Sequence, residues 1–189
     1  VNLPPPATPL LSLGFTTAAG ADPDAFRALA RRHAAGVTVV TTVRPADDTP
    51  GAAPIFDGFT ATAFVIVSMA PPIVLVSATN ASSAMAMLRD AEAYVVNLLS
   101  IDQRAIADVF ATPHADRDAP FDALPWAPDA HGVPVLGGTL GAFSARVRQH
   151  VPAGDHTLVL GDVTALHRSP DAPEALVYLD RAYGRVVRG

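Results

Sequence analysis

The chain predicts a mainly β domain with flanking helices, an antiparallel barrel closed on itself with helices covering its ends. Three observations point there. Short apolar, β-branched runs recur from about residue 37 to residue 183. Segments rich in Pro, Gly and Asp separate them, and only a few stretches between carry helical spacing.

The 189 residues fit one domain with a sizeable core, because half are hydrophobic and 16% are charged. Residues 1–20 read as an extended or disordered arm, and residues 21–189 as the domain. The first nine residues contain three consecutive prolines and no positive charge, unlike a signal peptide. No apolar run reaches the roughly 18 residues of a membrane span. A net charge of −5 argues against nucleic acid as a partner. All 13 basic residues are arginine, and cysteine is absent, which removes disulfides, thiolate metal sites and cysteine nucleophiles. A cytoplasmic protein is expected.

In chain order, Asp22-Pro23 opens a helix, with an acceptor cap and proline at the first position. Phe26, Leu29, Ala30 and His33 share a face, and Gly36 is the expected stop. Residues 37–43 are β-branched almost throughout and read as a strand; residues 44–54 read as a loop. Residues 59–68 alternate as one strand that ends in Pro71-Pro72, and residues 73–78 form the next. The polar segment Thr79-Asn80-Ala81-Ser82-Ser83 then opens a short helix over 82–90. Another strand covers 93–99. Ser100 and Gln103 form a capping box for a helix reaching about Phe110. Residues 112–138 look irregular, and strands at 140–150, 158–166 and 176–183 complete the chain.

Several catalytic devices are missing. The chain has no lysine for a phosphate-binding loop, no Gly-x-Ser-x-Gly elbow and no His-Glu-x-x-His helix. Histidines 33, 114, 131, 150, 156 and 167 show no metal-ligand spacing, so no metal site is expected. What stands out is a small, hydroxyl-rich strand, 58–68, beside a hydroxyl-rich helix start. Such a surface suits a phosphorylated planar ligand, although a plain barrel strand facing water reads the same way.

The run Gly58-Phe59-Thr60-Ala61-Thr62-Ala63-Phe64-Val65-Ile66-Val67-Ser68-Met69-Ala70-Pro71-Pro72 resembles the signature of the flavin reductase-like family. That pattern is Gly-Met-Thr-Ala-Asn/Ser-Ser-Phe-x-Ser-Val-Ser-x-x-Pro-Pro. Gly154-Asp155-His156, followed by Gly161 and Val163, resembles the family's Gly-Asp-His-x-x-x-x-Gly-x-Val segment. Residues 36–42, 94–99 with Gln103, Phe110-Ala111, Phe121, Trp126 and Pro134-Val135-Leu136 follow in family order. The resemblance spans about residues 26–183.

It implies an FMN-binding split β-barrel and an NAD(P)H-dependent oxidoreductase that transfers a hydride to FMN, with FAD also accepted. It further implies a two-fold homodimer, and service as the small component of a two-component monooxygenase. Alternatives on the same barrel are a flavin or deazaflavin electron carrier and a non-enzymatic flavin-binding or assembly subunit. By the resemblance His156 seats the nicotinamide. The flavin contacts are Thr60, Ala61, Thr62, Ala63 and Phe64, then Ser77, Ala78, Thr79, Asn80, Ser82 and Ser83. Two family serines are replaced, by Ala63 and Ile66. The family's Asp-Lys-Phe is replaced by Arg117-Asp118-Ala119-Pro120-Phe121.

Overall fold

A computed structural model describes residues 10–17, 20, 22–45, 53–112, 119–171 and 173–187. Most of the arm, part of the 44–54 loop, and Arg117 and Asp118 lie outside these residues; within the arm, Leu10–Leu13 form one 3-10 turn.

Helix α1 (Pro23–Ala30) starts as the sequence predicts, with the Asp22 carboxylate accepting from the Ala25 N–H at 2.8 Å. It ends at Ala30, short of the expected stop at Gly36, and His33 lies beyond it. The N–H groups of Arg31, Arg32 and His33 close the last turn onto Arg27, Leu29 and Ala30. The next residues are then taken by a sheet, as β1 (Ala35–Gly36).

Strand β2 (Thr38–Pro45) pairs with β3 (Pro54–Ala61), and β4 (Phe64–Met69) pairs with β5 (Pro72–Thr79). The expected single strand over 59–68 is therefore two, broken at Thr62-Ala63. Helix α2 (Ser83–Arg89) follows, capped by the Ser82 hydroxyl. Next come β6 (Ala93–Leu98), a 3-10 turn at Ile101–Gln103 and α3 (Arg104–Ala111). Gln103 ties this helix start down: its Oε1 accepts from the Ser100 N–H and its Nε2 donates to the Gly137 carbonyl at 2.8 Å.

The stretch that looked irregular contains α4 (Ala119–Asp122) and a two-stranded ribbon, β7 (Trp126–Pro128) with β8 (Pro134–Leu136). Asn97 on β6 anchors the ribbon, accepting from the Leu136 N–H and donating to the Val39 carbonyl. The long strands β9 (Gly141–Ala153) and β10 (His156–Arg168) form a hairpin. The last expected strand is instead a hairpin, β11 (Leu176–Leu179) and β12 (Ala182–Arg185), turned at Asp180-Arg181.

The main sheet is antiparallel, in the order β3-β2-β6-β9-β10-β5-β4. Its outermost strands, β3 and β4, are consecutive in the chain and joined by only Thr62-Ala63. The sheet must therefore curl until its two edges meet at that corner. Among the described residues the edges do not pair along their length, so the barrel closed on itself that the strand pattern suggests is the split barrel that the family resemblance implies. A bond from the Ser77 N–H to the Ala63 carbonyl, 3.0 Å, ties the corner to β5.

Inside the curl lie Val40, Val74, Val76, Tyr94, Val96 and Val159, plugged at one end by Met85 and Leu88 of α2. A second cluster, with Val37, Val39, Leu99, Phe110 and Phe121, sits under α3 and the β11–β12 hairpin.

Candidate functional site

The corner at Thr62-Ala63 is the centre of the site. Ala61 is buried in the barrel core, whereas Thr62 and Ala63 are exposed. Neither Thr62 nor Ala63 gives its N–H to a backbone hydrogen bond among the described residues. Two adjacent unpaired donors on small residues, at a point where the backbone is bare, suit the polar edge of a flat ligand.

Strand β10 brings His156 to this corner. It stands directly opposite Thr79 of β5, and a hydrogen bond of 3.2 Å joins the Thr79 hydroxyl to Nε2. Nδ1 lies 2.7 Å from the Asp155 carboxylate, which can only accept. Nδ1 therefore donates its N–H to Asp155, and Nε2 faces the Thr79 hydroxyl. The hydrogen bond from this imidazole holds the Asp155 carboxyl below its ordinary range. Gly154, at φ +64, makes the turn that presents the pair.

The loop after β5 is braced against the same turn. Asn80 Nδ2 donates to the Gly154 carbonyl, the Asn80 N–H donates to the Asp155 carbonyl, and Asn80 Oδ1 accepts from the Thr157 hydroxyl at 2.7 Å. Ser82 is used twice within the protein: its hydroxyl donates to the Thr79 carbonyl and accepts from the Met85 N–H.

These elements enclose a cleft of about 260 Å³ that gathers every residue the sequence predicts except Phe64, Asn80 and Ser83. Asn80 is the loop's brace. Ser83 lines an adjoining cavity of about 340 Å³ that shares Phe59, Thr60, Thr62 and Ala84 with the cleft. Phe64 turns toward the core and packs on Phe143 at 5.5 Å. The Thr60 hydroxyl donates to the Ala107 carbonyl of α3 at 2.6 Å, so it fixes the wall. Ala78 is buried in the core, as Ala61 is, and each lines the cleft from there. The hydroxyls of Thr62, Ser77 and Ser83 have no partner among the described residues.

The adjoining cavity holds residues that sequence reasoning missed, chiefly Phe110, Tyr178 and Tyr183. The two tyrosines are register partners across the β11–β12 hairpin, with ring centroids 5.2 Å apart. Arg104 lies over the Tyr183 ring at 5.4 Å. Burial, with Asp108 nearby, raises the Tyr183 phenol above its ordinary pKa and keeps it neutral.

The profile of the flavin reductase like domain matches residues 30–186. An NADH:FMN oxidoreductase of Rhodococcus qingshengii is 41% identical over 182 residues, which cover 95% of this chain and 86% of that protein. Among solved structures, the Streptomyces globisporus NADH:FAD oxidoreductase SgcE6, in complex with NAD and FAD fragments, superposes with a TM-score of 0.77 at 25% identity. That match covers 91% of this chain and 98% of the other. Nitrilotriacetate monooxygenase component B from Mycobacterium thermoresistibile gives 0.74 at 26% identity, covering 87% and 86%. With a domain match over most of its length and a relative at this identity, the chain belongs to the flavin reductase-like family.

Proposed function

We propose that this chain is an NAD(P)H:flavin oxidoreductase that reduces FMN or FAD and supplies the reduced flavin to a partner monooxygenase. The observation that carries this reading is the corner cleft. In it the exposed backbone of Thr62 and Ala63 meets Ser77, Thr79 and His156, brought from β5 and β10, in a chain that belongs to this family. The similarity to an NADH:FMN oxidoreductase supports the activity, and that to a monooxygenase component supports the partner.

The residues fit a flavin. The corner offers unpaired N–H groups for a polar ring edge, and side chains no larger than alanine or threonine let a flat ring approach the strand. A bound flavin supplies the hydride acceptor, which leaves the protein to bind, orient and exclude water. Thr62 and Ala63 hold the ring edge, and the hydroxyls of Ser77 and Ser83 take the remaining polar groups. Thr60, fixed to Ala107, keeps α3 against the strand as the cleft's wall. The Nδ1–H of His156 is committed to Asp155, and Nε2 to the Thr79 hydroxyl. His156 seats the nicotinamide through its oriented ring and the neighbouring Thr79 hydroxyl. No general acid or base is required.

The assembly we propose is a two-fold homodimer, supported by the exposed apolar side chains Val65, Ile66 and Val67 on the free edge strand β4. No described helix is long and apolar enough to cross a membrane. A cysteine-free chain that consumes NAD(P)H fits the cytoplasm. Titration of FMN with the protein tests the site: quenching of flavin fluorescence with saturation at micromolar protein supports it, and no change at tens of micromolar contradicts it.

A further inference from the structure

Both nucleotides of the proposed reaction carry phosphates, yet among the described residues no arginine lines the corner cleft or the cavity beside it. A groove of about 570 Å³ opens from the other side of the same corner, sharing Thr62 and Ala63. It carries three basic side chains, Arg31 and His33 after α1 and Arg181 on the β11–β12 turn, against one acid, Asp180. Arg31, His33 and Arg181 make no ion pair or side-chain hydrogen bond among the described residues. A further cavity, of about 270 Å³ and also lined by Ser83, is different: it holds Arg44 together with two acids, Asp57 and Asp90.

The turn that presents Arg181 adds an independent observation. Asp180 at φ +47 and Arg181 at φ +66 are the two non-glycine residues with positive φ among the described residues. A two-residue hairpin turn with both central φ values positive favours Asn-Gly or Asp-Gly. An arginine stands where glycine fits best, so the position keeps a side chain that the turn itself disfavours. The same turn is pinned to the end of α1, since the Asp180 N–H donates to the Arg31 carbonyl at 2.9 Å. That bond holds the backbone of Arg31 beside the turn that carries Arg181.

Resting on the reductase reading, we infer that Arg31, His33 and Arg181 form the binding site for the diphosphate of the nicotinamide dinucleotide. The flavin lies at the corner, and the co-substrate reaches it from the basic groove. Guanidinium groups bind phosphate oxygens through paired N–H donors, and at an exposed site salt weakens that attraction.

The test compares the full-length chain with Arg181→Gly, which suits the backbone of the turn, and with Arg31→Gln. ADP-ribose, which carries the diphosphate without the nicotinamide, is titrated by calorimetry. FMN affinity is measured by fluorescence, and NADH oxidation with saturating FMN is followed at steady state. Each variant is expected to weaken ADP-ribose and raise the KM for NADH by about threefold to tenfold, leaving kcat and FMN affinity unchanged. Unchanged ADP-ribose affinity and KM overturn the inference. So does a loss confined to FMN affinity, which would assign the groove to the flavin phosphate. A wild-type chain that binds ADP-ribose through these arginines but reduces no flavin would sink the reductase reading and leave the phosphate site standing.

Discussion

His156 is fixed from two sides, by Asp155 at Nδ1 and Thr79 at Nε2, and this makes its contribution separable from flavin binding. His156→Ala should raise the KM for NADH by about tenfold, a loss of roughly 1.4 kcal/mol, while FMN affinity barely changes. Steady-state kinetics beside a flavin titration check it, and an unchanged KM would remove the residue from the nicotinamide seat. The replaced serines divide in the same way. Ala63 is exposed at the corner and lines both the cleft and the basic groove, whereas Ile66 stands exposed on β4 and lines neither. Ala63→Ser should tighten FMN by about fivefold, one hydrogen bond's worth, and Ile66→Ser should leave FMN affinity alone. Equal effects of the two substitutions would show that the flavin edge is not at the corner. His156 and residues 60–63 stand out in the sequence because each sits in a local motif, and the structure brings them to one cleft. Tyr178 and Tyr183 do not stand out, since only the hairpin between them brings their rings together.

At the scale of elements, the cleft depends on how closely α3 lies on β3. Gly58 permits this approach: a Cβ there would stand 2.8 Å from the ring of Phe110 and 3.2 Å from the Val40 carbonyl. Phe110 is buried between Phe121 and the strand and has little room to move. Gly58→Ala should therefore destabilise the fold by about 1–3 kcal/mol, read from the midpoint of denaturant unfolding. Displacement of α3 would also loosen the Thr60–Ala107 bond that forms the cleft wall. An unchanged midpoint would mean that the helix is not tightly seated. The helix starts at Asp22, Ser82 and Ser100 were readable because a capping side chain acts on its own neighbours. The break at Thr62-Ala63 was not. The alternation of residues 59–68 runs on across it, and only the change of partner from β2 to β5 marks the corner. The β7–β8 ribbon was hidden for a related reason, because its strands are three residues each and rely on Asn97 of a distant strand.

For the molecule as a whole, the split barrel leaves apolar surface that the described residues do not cover. Val65, Ile66 and Val67 are about half exposed, Met69 is 83% exposed, and Phe26 and Leu29 of α1 face outward at 68% and 71%. Soluble monomers rarely expose so much contiguous apolar surface along a free strand edge. The proposed homodimer would cover it, and Ile66→Asp should then shift the protein toward monomer in sedimentation equilibrium, whereas a monomeric wild type would contradict the assembly. The barrel class was legible from the recurring short strands; its split edge and the unpaired α1 face follow from long-range pairing that periodicity does not record. At this scale the proposed role is that the corner of the barrel holds a flavin where NAD(P)H can give it a hydride. Its most direct test is NADH and NADPH oxidation measured at steady state with FMN, FAD and riboflavin side by side. Oxidation should depend on added FMN or FAD and saturate with each; flavin-independent oxidation, or none with all three, would contradict the proposed role.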